Sequence, residues 1–450
     1  MIPRKLKILI ITKSFPPQNA IAAHRPYSWA KYWSRAGHDV TVLTIPKIIQ
    51  PQDAILPTEG FRVIEVPIPF WSSFLKTTAK SHRLSLPSAK SDRPLKPLEA
   101  IKNFLYKKTI GFLNYYGIFS ACRMPDILDF WGKTAFQAVC GSTWDVVVST
   151  AGPYAVHRPA YHLKKNGLAT IWLMDWRDLW TEHHAYPGLP IVRSFEKILE
   201  KRWSLAADVI TTVSEPLAER LRQHYGDKVF VIYNGFDEEE YEKLPPSRIF
   251  PRDGVSRIIY TGSIYKGYQD PSPLFAAVEQ LSRQHGLTPR QLRIIFCGFN
   301  SDFTALAREH AVEAFVEYHG FLPRSEALRM QRDADALLFL EFESEEVKGI
   351  LSGKLFEYLF AGPPILGIGL EDDSSVGQIL KQTGRGVCLG KNVNAIKEKL
   401  LDIIRAGAGP RASEDAAIPD AIRQFSRKVQ SQKMLNLLIH LSERTNVVAC

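Results

Sequence analysis

Apolar runs of strand length alternate along the chain with stretches of helical period, and small or polar residues punctuate the changes. Lys7–Thr12 reads as a buried first strand, Lys13–Asn19 as a loop, roughly Ala23 to Ala36 as a helix closed by Gly37, and Val40–Thr44 as a second strand. Further strands are predicted at Asp145–Thr150, Thr170–Met174, Ala207–Ser214 and Val229–Ile232. The second half repeats the pattern at Arg257–Ser263, Leu292–Gly298, Val316–Gly320, Ala336–Leu340 and Pro364–Ile368. Helices are expected around Ile191–Leu205, between Phe321 and Arg332, over Asn392–Ala406 and from about Ala421 to Leu441. Strand–helix alternation of this kind predicts parallel sheets covered by helices on both faces.

At 450 residues the chain exceeds one ordinary core, so two α/β domains are expected. The first spans 1–237, with an irregular insertion at about 48–115. Residues 238–254, charged and broken by Pro and Gly, read as a linker. The second domain follows at 255–415, then a last helix and tail at 416–450.

The richest stretch for chemistry is Gly349–Gly362, between the strands at Ala336 and Pro364. Ser352 is placed to cap a helix there, and Gly362 with Pro363 and Pro364 to end it. Gly353 and Lys354 fall at the helix N-terminus, whose free N–H groups and dipole suit a phosphate. Glu357, three residues on, could accept hydrogen bonds from sugar hydroxyls. The same Lys–Glu spacing also suits a solvated helix pair, worth about 0.2–0.5 kcal/mol. Gly262 and Ser263 form a small-residue loop after a strand, with Lys266 just beyond. His157 and Asp175 fall at the carboxyl ends of strands, where open α/β sheets hold ligands. His157 suits a general base or a hydrogen-bond donor, or a plain helix residue. Asp175, Arg177 and Asp178 suit sugar recognition or a bracing Asp–Arg pair, with Asp175 expected to face the cleft.

These segments resemble family 4 glycosyltransferases of the GT-B fold. The likeness rests on Lys354-Leu355-Phe356-Glu357-Tyr358-Leu359 with Ala361-Gly362-Pro363-Pro364-Ile365, on the strand–Pro16-Pro17–helix opening with Gly37-His38-Asp39-Val40-Thr41-Val42-Leu43-Thr44, and on Asp175-Trp176-Arg177-Asp178-Leu179-Trp180. Ala207–Ser214 and Ile232–Asp237 match further signatures, whose expected role is structural. The chain departs from the pattern at three places. Gly349 stands where many members have a second Glu, Asn19-Ala20-Ile21-Ala22 where paired glycines occur, and Ser263 where an Arg is common.

The resemblance implies two doubly wound Rossmann-like domains facing a cleft, with the final helix returning to the first. It implies a retaining transfer from a nucleotide-sugar donor, with no cofactor and no metal. The donor diphosphate would meet Gly262, Ser263, Lys266, Gly353 and Lys354, and the ribose would meet Glu357. His157 and Asp175 would meet the sugar and a saccharide or lipid-linked acceptor, and Gly320–Pro323 would pass the base. Surface polysaccharide or glycolipid assembly is the expected setting. A nucleotide-sugar epimerase or a catalytically silent binding protein would share this fold.

Charge adds a partner class. The formal net charge is +10, and basic residues dominate between Lys76 and Lys108, interleaved with Phe70, Trp71, Phe74, Phe104 and Tyr106. This segment reads either as a solvated insertion or as a patch for anionic lipid headgroups. Nucleic acid is not expected, because no module that binds it is recognisable. The five cysteines are scattered and lack metal spacing, which points to a reducing, cytoplasmic setting. No apolar run of about eighteen residues offers a membrane span, so any membrane contact would be peripheral, on the inner face.

Overall fold

A computed structural model describes residues 5–47, 56–69, 108–109, 111–113, 115–118, 122–183, 186–264, 267–298, 303–342, 351–407 and 418–448. Lys266, Gly349, the basic run from Lys76 to Lys107 and most of the insertion at about 48–115 lie outside these residues.

The first half folds as β1 (Lys7–Ile11), α1 (Ile21–Arg35), β2 (Asp39–Thr44), β3 (Arg62–Glu65), α2 (Trp131–Val139), β4 (Trp144–Thr150), α3 (His157–Lys165), β5 (Ala169–Asp175), α4 (Pro190–Ala206), β6 (Val209–Thr212), α5 (Glu215–Tyr225) and β7 (Val229–Val231). The short helix α6 (Glu238–Glu242) follows. The second half runs β8 (Ser256–Thr261), α7 (Ser272–His285), β9 (Leu292–Cys297), α8 (Phe303–Glu309), β10 (Val316–Gly320), α9 (Arg324–Asp333), β11 (Ala336–Leu340), α10 (Gly353–Ala361), β12 (Ile365–Ile368), α11 (Ser375–Thr383), β13 (Gly386–Gly390) and α12 (Val393–Ala406). Helices α13 (Asp420–Arg423) and α14 (Arg427–Val448) close the chain.

Two parallel sheets result, one of seven strands in the order β3-β2-β1-β4-β5-β6-β7 and one of six in the order β10-β9-β8-β11-β12-β13. The alternation read in the sequence is thus the doubly wound α/β fold. Strand order reverses between β1 and β4 in the first sheet and between β8 and β11 in the second. The loops leaving the carboxyl ends of paired strands diverge at such points and open a crevice.

Apolar runs such as Ile8–Ile11 and Val146–Val148 are buried because helices cover both sheet faces. The last helix returns to the first sheet. Met434, Leu435 and Leu438 pack with Ile8, Ile10 and Trp33, and the Trp33 indole N–H donates to the Ser431 carbonyl at 2.9 Å. Outgoing and returning segments touch at the crossing. Phe236 and Ser426 form a parallel bridge, and a Cβ on Gly235 would come within 2.2 Å of the Phe425 carbonyl oxygen.

Three local expectations change. Ser352 occupies the N-cap position of α10, but its side chain does not cap, and its hydroxyl is buried without a hydrogen-bond partner. The expected linker folds in part as α6, capped by the Asp237 carboxylate accepting from the Glu239 N–H. The single last helix is instead split at Gln424–Ser426, where the chain crosses between sheets.

Candidate functional site

The two switch points meet. Helix α1 leaves β1 and helix α10 follows β11, and their N-terminal ends pack together. A Cβ on Gly353 would lie within 2.3 Å of Ile21 Cδ1, so a larger residue there would have to displace the Ile21 side chain. Ile21, the first residue of α1, stands in the segment where the family resemblance leads one to look for paired glycines.

Lys354 is half-buried beside Gly262. Its Nζ donates to the Tyr260 hydroxyl at 2.5 Å and sits 3.8 Å from the ring centroid. The Tyr260 hydroxyl in turn donates to the Ser263 carbonyl at 2.9 Å, which fixes the phenol beneath the loop. Gly262 is exposed with φ of +120°, and a Cβ there would stand 3.2 Å from Lys354 Nζ. The loop is pinned from behind, since a Cβ on Gly298 would lie 2.2 Å from the Gly262 carbonyl oxygen. Burial pushes the Lys354 ammonium down from 10.5 to about 7, opposed by the charge of Glu357. A cation, a helix N-terminus and an open glycine loop therefore converge, as an anion site requires.

Glu357 lies one turn further along α10, nearly buried. Its carboxylate accepts from Arg324 Nη1 at 2.9 Å and from the Gln331 amide at 3.3 Å. Arg324, the first residue of α9, also binds Glu240 through two bonds of 2.7 Å, and Arg427 reaches Glu240 at 3.4 Å. Burial disfavours the Glu240 charge, yet Arg324 and then Arg427 outweigh it and hold the carboxyl far below its usual range. His24 of α1 lies 4.0 Å from the same carboxylate. Burial, then Arg324 and Arg427, hold its imidazole well below 6.5. This network joins α1, α6, α9, α10 and α14.

Asp175 does not face the cleft as expected. It is fully buried and accepts four hydrogen bonds, from Arg25 Nε at 3.1 Å and Nη2 at 2.8 Å and from Thr150 and Thr211 at 2.7 Å. Burial works against its charge, but the Arg25 ion pair and these bonds prevail and keep the carboxyl below 3.8. Arg25 Nη1 also donates to the carbonyls of Ile232 and Tyr233, so Asp175 braces α1 against the crossing strand. Arg177 is not its partner, since its guanidinium donates to the Ala151 and Gly152 carbonyls.

His157 begins α3 at the first switch point but is likewise fully buried. Its Nδ1 pairs with the Ser149 hydroxyl at 2.8 Å, its ring meets Trp176 edge-on at 4.3 Å, and Nε2 has no hydrogen-bond partner. Burial pushes its imidazole down to about 3, so it stays neutral. Lys266 lies outside the described residues. Among the described residues no cluster of three His, Cys, Asp or Glu side chains could hold a metal ion.

Sequence reading missed Tyr260, Arg324, Glu240 and Arg25. A polar residue inside a strand (Tyr260) and an Arg directly after Pro323 were the available signals. The rest depended on contacts remote in sequence.

Residues 145–240 match the model of Glycosyltransferase Family 4. No curated protein matches the chain in sequence. Among solved structures, a glycosyltransferase from Rickettsia africae ESF-5 superposes with a TM-score of 0.60 at 14% identity, over 97% of this chain and 98% of that one. Sucrose-phosphate synthase from Thermosynechococcus elongatus gives 0.56 at 13%, over 97% and 99%. An E. coli trehalose-6-phosphate structure bound with UDP-2-fluoro glucose gives 0.57 at 12%, over 96% and 98%. The chain thus has the GT-B fold, and its residues 145–240 are similar to Glycosyltransferase Family 4.

Proposed function

We propose that the protein is a nucleotide-sugar-dependent, retaining glycosyltransferase that needs no metal and acts on a saccharide or lipid-linked acceptor in surface polysaccharide or glycolipid assembly. The observation that carries this reading is Lys354, set at the start of α10 against the open Gly262–Ser263 loop. The E. coli neighbour bound with a UDP-sugar analogue supports a donor of that class.

In this reading the donor diphosphate lies over Gly353 and the Gly262–Ser263 loop, with Lys354 and Lys266 as its cations. The bond from the anomeric carbon to the diphosphate breaks, and negative charge grows on the leaving oxygen. Lys354 counters that charge where water is sparse, which is the efficient place for it. The acceptor hydroxyl bonds to the anomeric carbon and its proton passes to the departing diphosphate. Glu357, held by Arg324 and Gln331, presents its remaining acceptor capacity to the ribose. His157, buried against Trp176 and paired with Ser149, braces the first switch point as a neutral group, and Asp175 positions α1 through Arg25.

A thermal-shift panel of nucleotide-sugars and nucleoside diphosphates tests this. A true donor at about 100 times its dissociation constant stabilises the protein by roughly 2.7 kcal/mol. A panel with no shift for any nucleotide overturns the reading.

A further inference from the structure

Helix α4 (Pro190–Ala206) is amphipathic in the wrong sense for a covered helix. Its carboxylates face inward. Glu196 pairs with the fully buried Arg123 at 2.8 Å, and buried Glu200 accepts from the Thr181 N–H at 2.9 Å. Its apolar stripe faces outward, with Ile191 93% exposed, Phe195 52%, Ile198 63% and Leu205 57%. Spacings of four, three and seven residues put these four side chains on one face of an α-helix. The rest of the exposed surface of α4 carries Arg193, Lys197, Lys201 and Arg202 and no carboxylate.

We infer that this face of α4 docks on a lipid bilayer containing anionic phospholipid. A helix with an apolar stripe bordered only by cations lies in a membrane interface, its side chains entering the headgroup boundary and its charges meeting lipid phosphates. Charge selects this occupant over a second copy of the chain, because pairing two such faces would bring eight cations together with no exposed acid between them. The placement has a functional consequence. Helix α4 leads from β5 back to β6 in the parallel sheet, so its Ile191 end lies at the carboxyl edge, the cleft side. At that end the chain adds exposed Phe112 and Tyr115, whose neighbour Gly117 packs on Tyr186 and Arg123. A bilayer seated there brings a lipid-linked acceptor beside the donor site. The inference deepens the proposed function by naming the docking surface. Vesicle binding and nucleotide binding are measured separately, so either can fail alone.

The test is flotation of the full chain with vesicles of phosphatidylcholine alone or mixed with phosphatidylglycerol. The intact protein floats with the mixed vesicles, releases at high salt and ignores phosphatidylcholine. Phe195→Ser with Ile198→Ser lowers the bound fraction roughly tenfold or more, since both side chains are exposed and leave the core untouched. Lys197→Glu with Lys201→Glu lowers it by at least fivefold per charge, on the order of 1 kcal/mol each. Unchanged melting and nucleotide binding show that both variants fold. Vesicle binding that survives either pair of substitutions overturns the inference. So does a wild-type dimer in sedimentation velocity that the serine variant dissociates without change in flotation.

Discussion

Substituting Lys354 by Met removes one ammonium from the loop and keeps the length of the side chain. In the free protein burial sets the Lys354 ammonium at about 7, so its charge changes across the physiological range. About nine-tenths of the protein carries that charge at roughly pH 6 and about one-tenth at roughly pH 8. A bound diphosphate favours the charged form, so donor binding takes up a proton, and the apparent dissociation constant rises roughly tenfold across those two units. The diphosphate of a nucleotide-sugar keeps its own charge in this interval. The imidazoles of His157 and His24 do not interfere, because burial holds His157 at about 3 and His24 well below 6.5. The carboxylate facing Lys354 from its own helix is Glu357, paired with Arg324, and the group facing it from β8 is the Tyr260 hydroxyl. Calorimetric titration in buffers of different ionisation enthalpy counts the proton directly. Wild type shows a falling affinity with pH and a proton uptake that grows from about one-tenth at roughly pH 6 to about nine-tenths at roughly pH 8. Lys354→Met shows weak, pH-independent binding. An equal slope in both proteins refutes the assignment of the phosphate-binding cation.

Two further outcomes are expected. Arg25→Met leaves the Asp175 carboxylate buried with only two hydroxyl donors, which costs about 3–5 kcal/mol in a chemical denaturation midpoint analysis. The pH dependence follows from the same pair: Asp175 lies below 3.8 in the folded chain, so its contribution is full above that value and is lost as pH falls through the folded one. Gly353→Ala drives a Cβ into Ile21 and weakens donor binding in a calorimetric titration, and Ile21→Ala in the same chain restores it, which a merely local helix defect would not allow.

The two sheets were legible because parallel strands buried on both faces read as continuous apolar runs, as at Ile8–Ile11 and Leu337–Leu340. Gly262, Ser263, Gly353 and Lys354 were legible because glycine loops and helix starts announce themselves locally, and the fold brings them together. Asp175 was misplaced because its partner is Arg25, 150 positions away, and sequence offered only the adjacent Arg177. The network around Glu240 was invisible for the same reason, since Arg324 lies 84 positions on and Arg427 lies 187. The inversion of α4 was written in the chain, as Glu196 and Glu200 alternate with Ile191, Phe195 and Ile198. Only the buried Arg123 reveals which side faces in.

Sugar transfer itself tests the account most directly. The intact protein, a radiolabelled nucleotide-sugar chosen from the thermal-shift panel, and saccharide and lipid acceptors are incubated together, and labelled products and free nucleoside diphosphate are quantified in the same sample. The account predicts label in an acceptor, with one nucleoside diphosphate released per sugar transferred, and loss of both in Lys354→Met. A bound donor that returns as an epimerised nucleotide-sugar, or that releases no diphosphate with any acceptor, contradicts it.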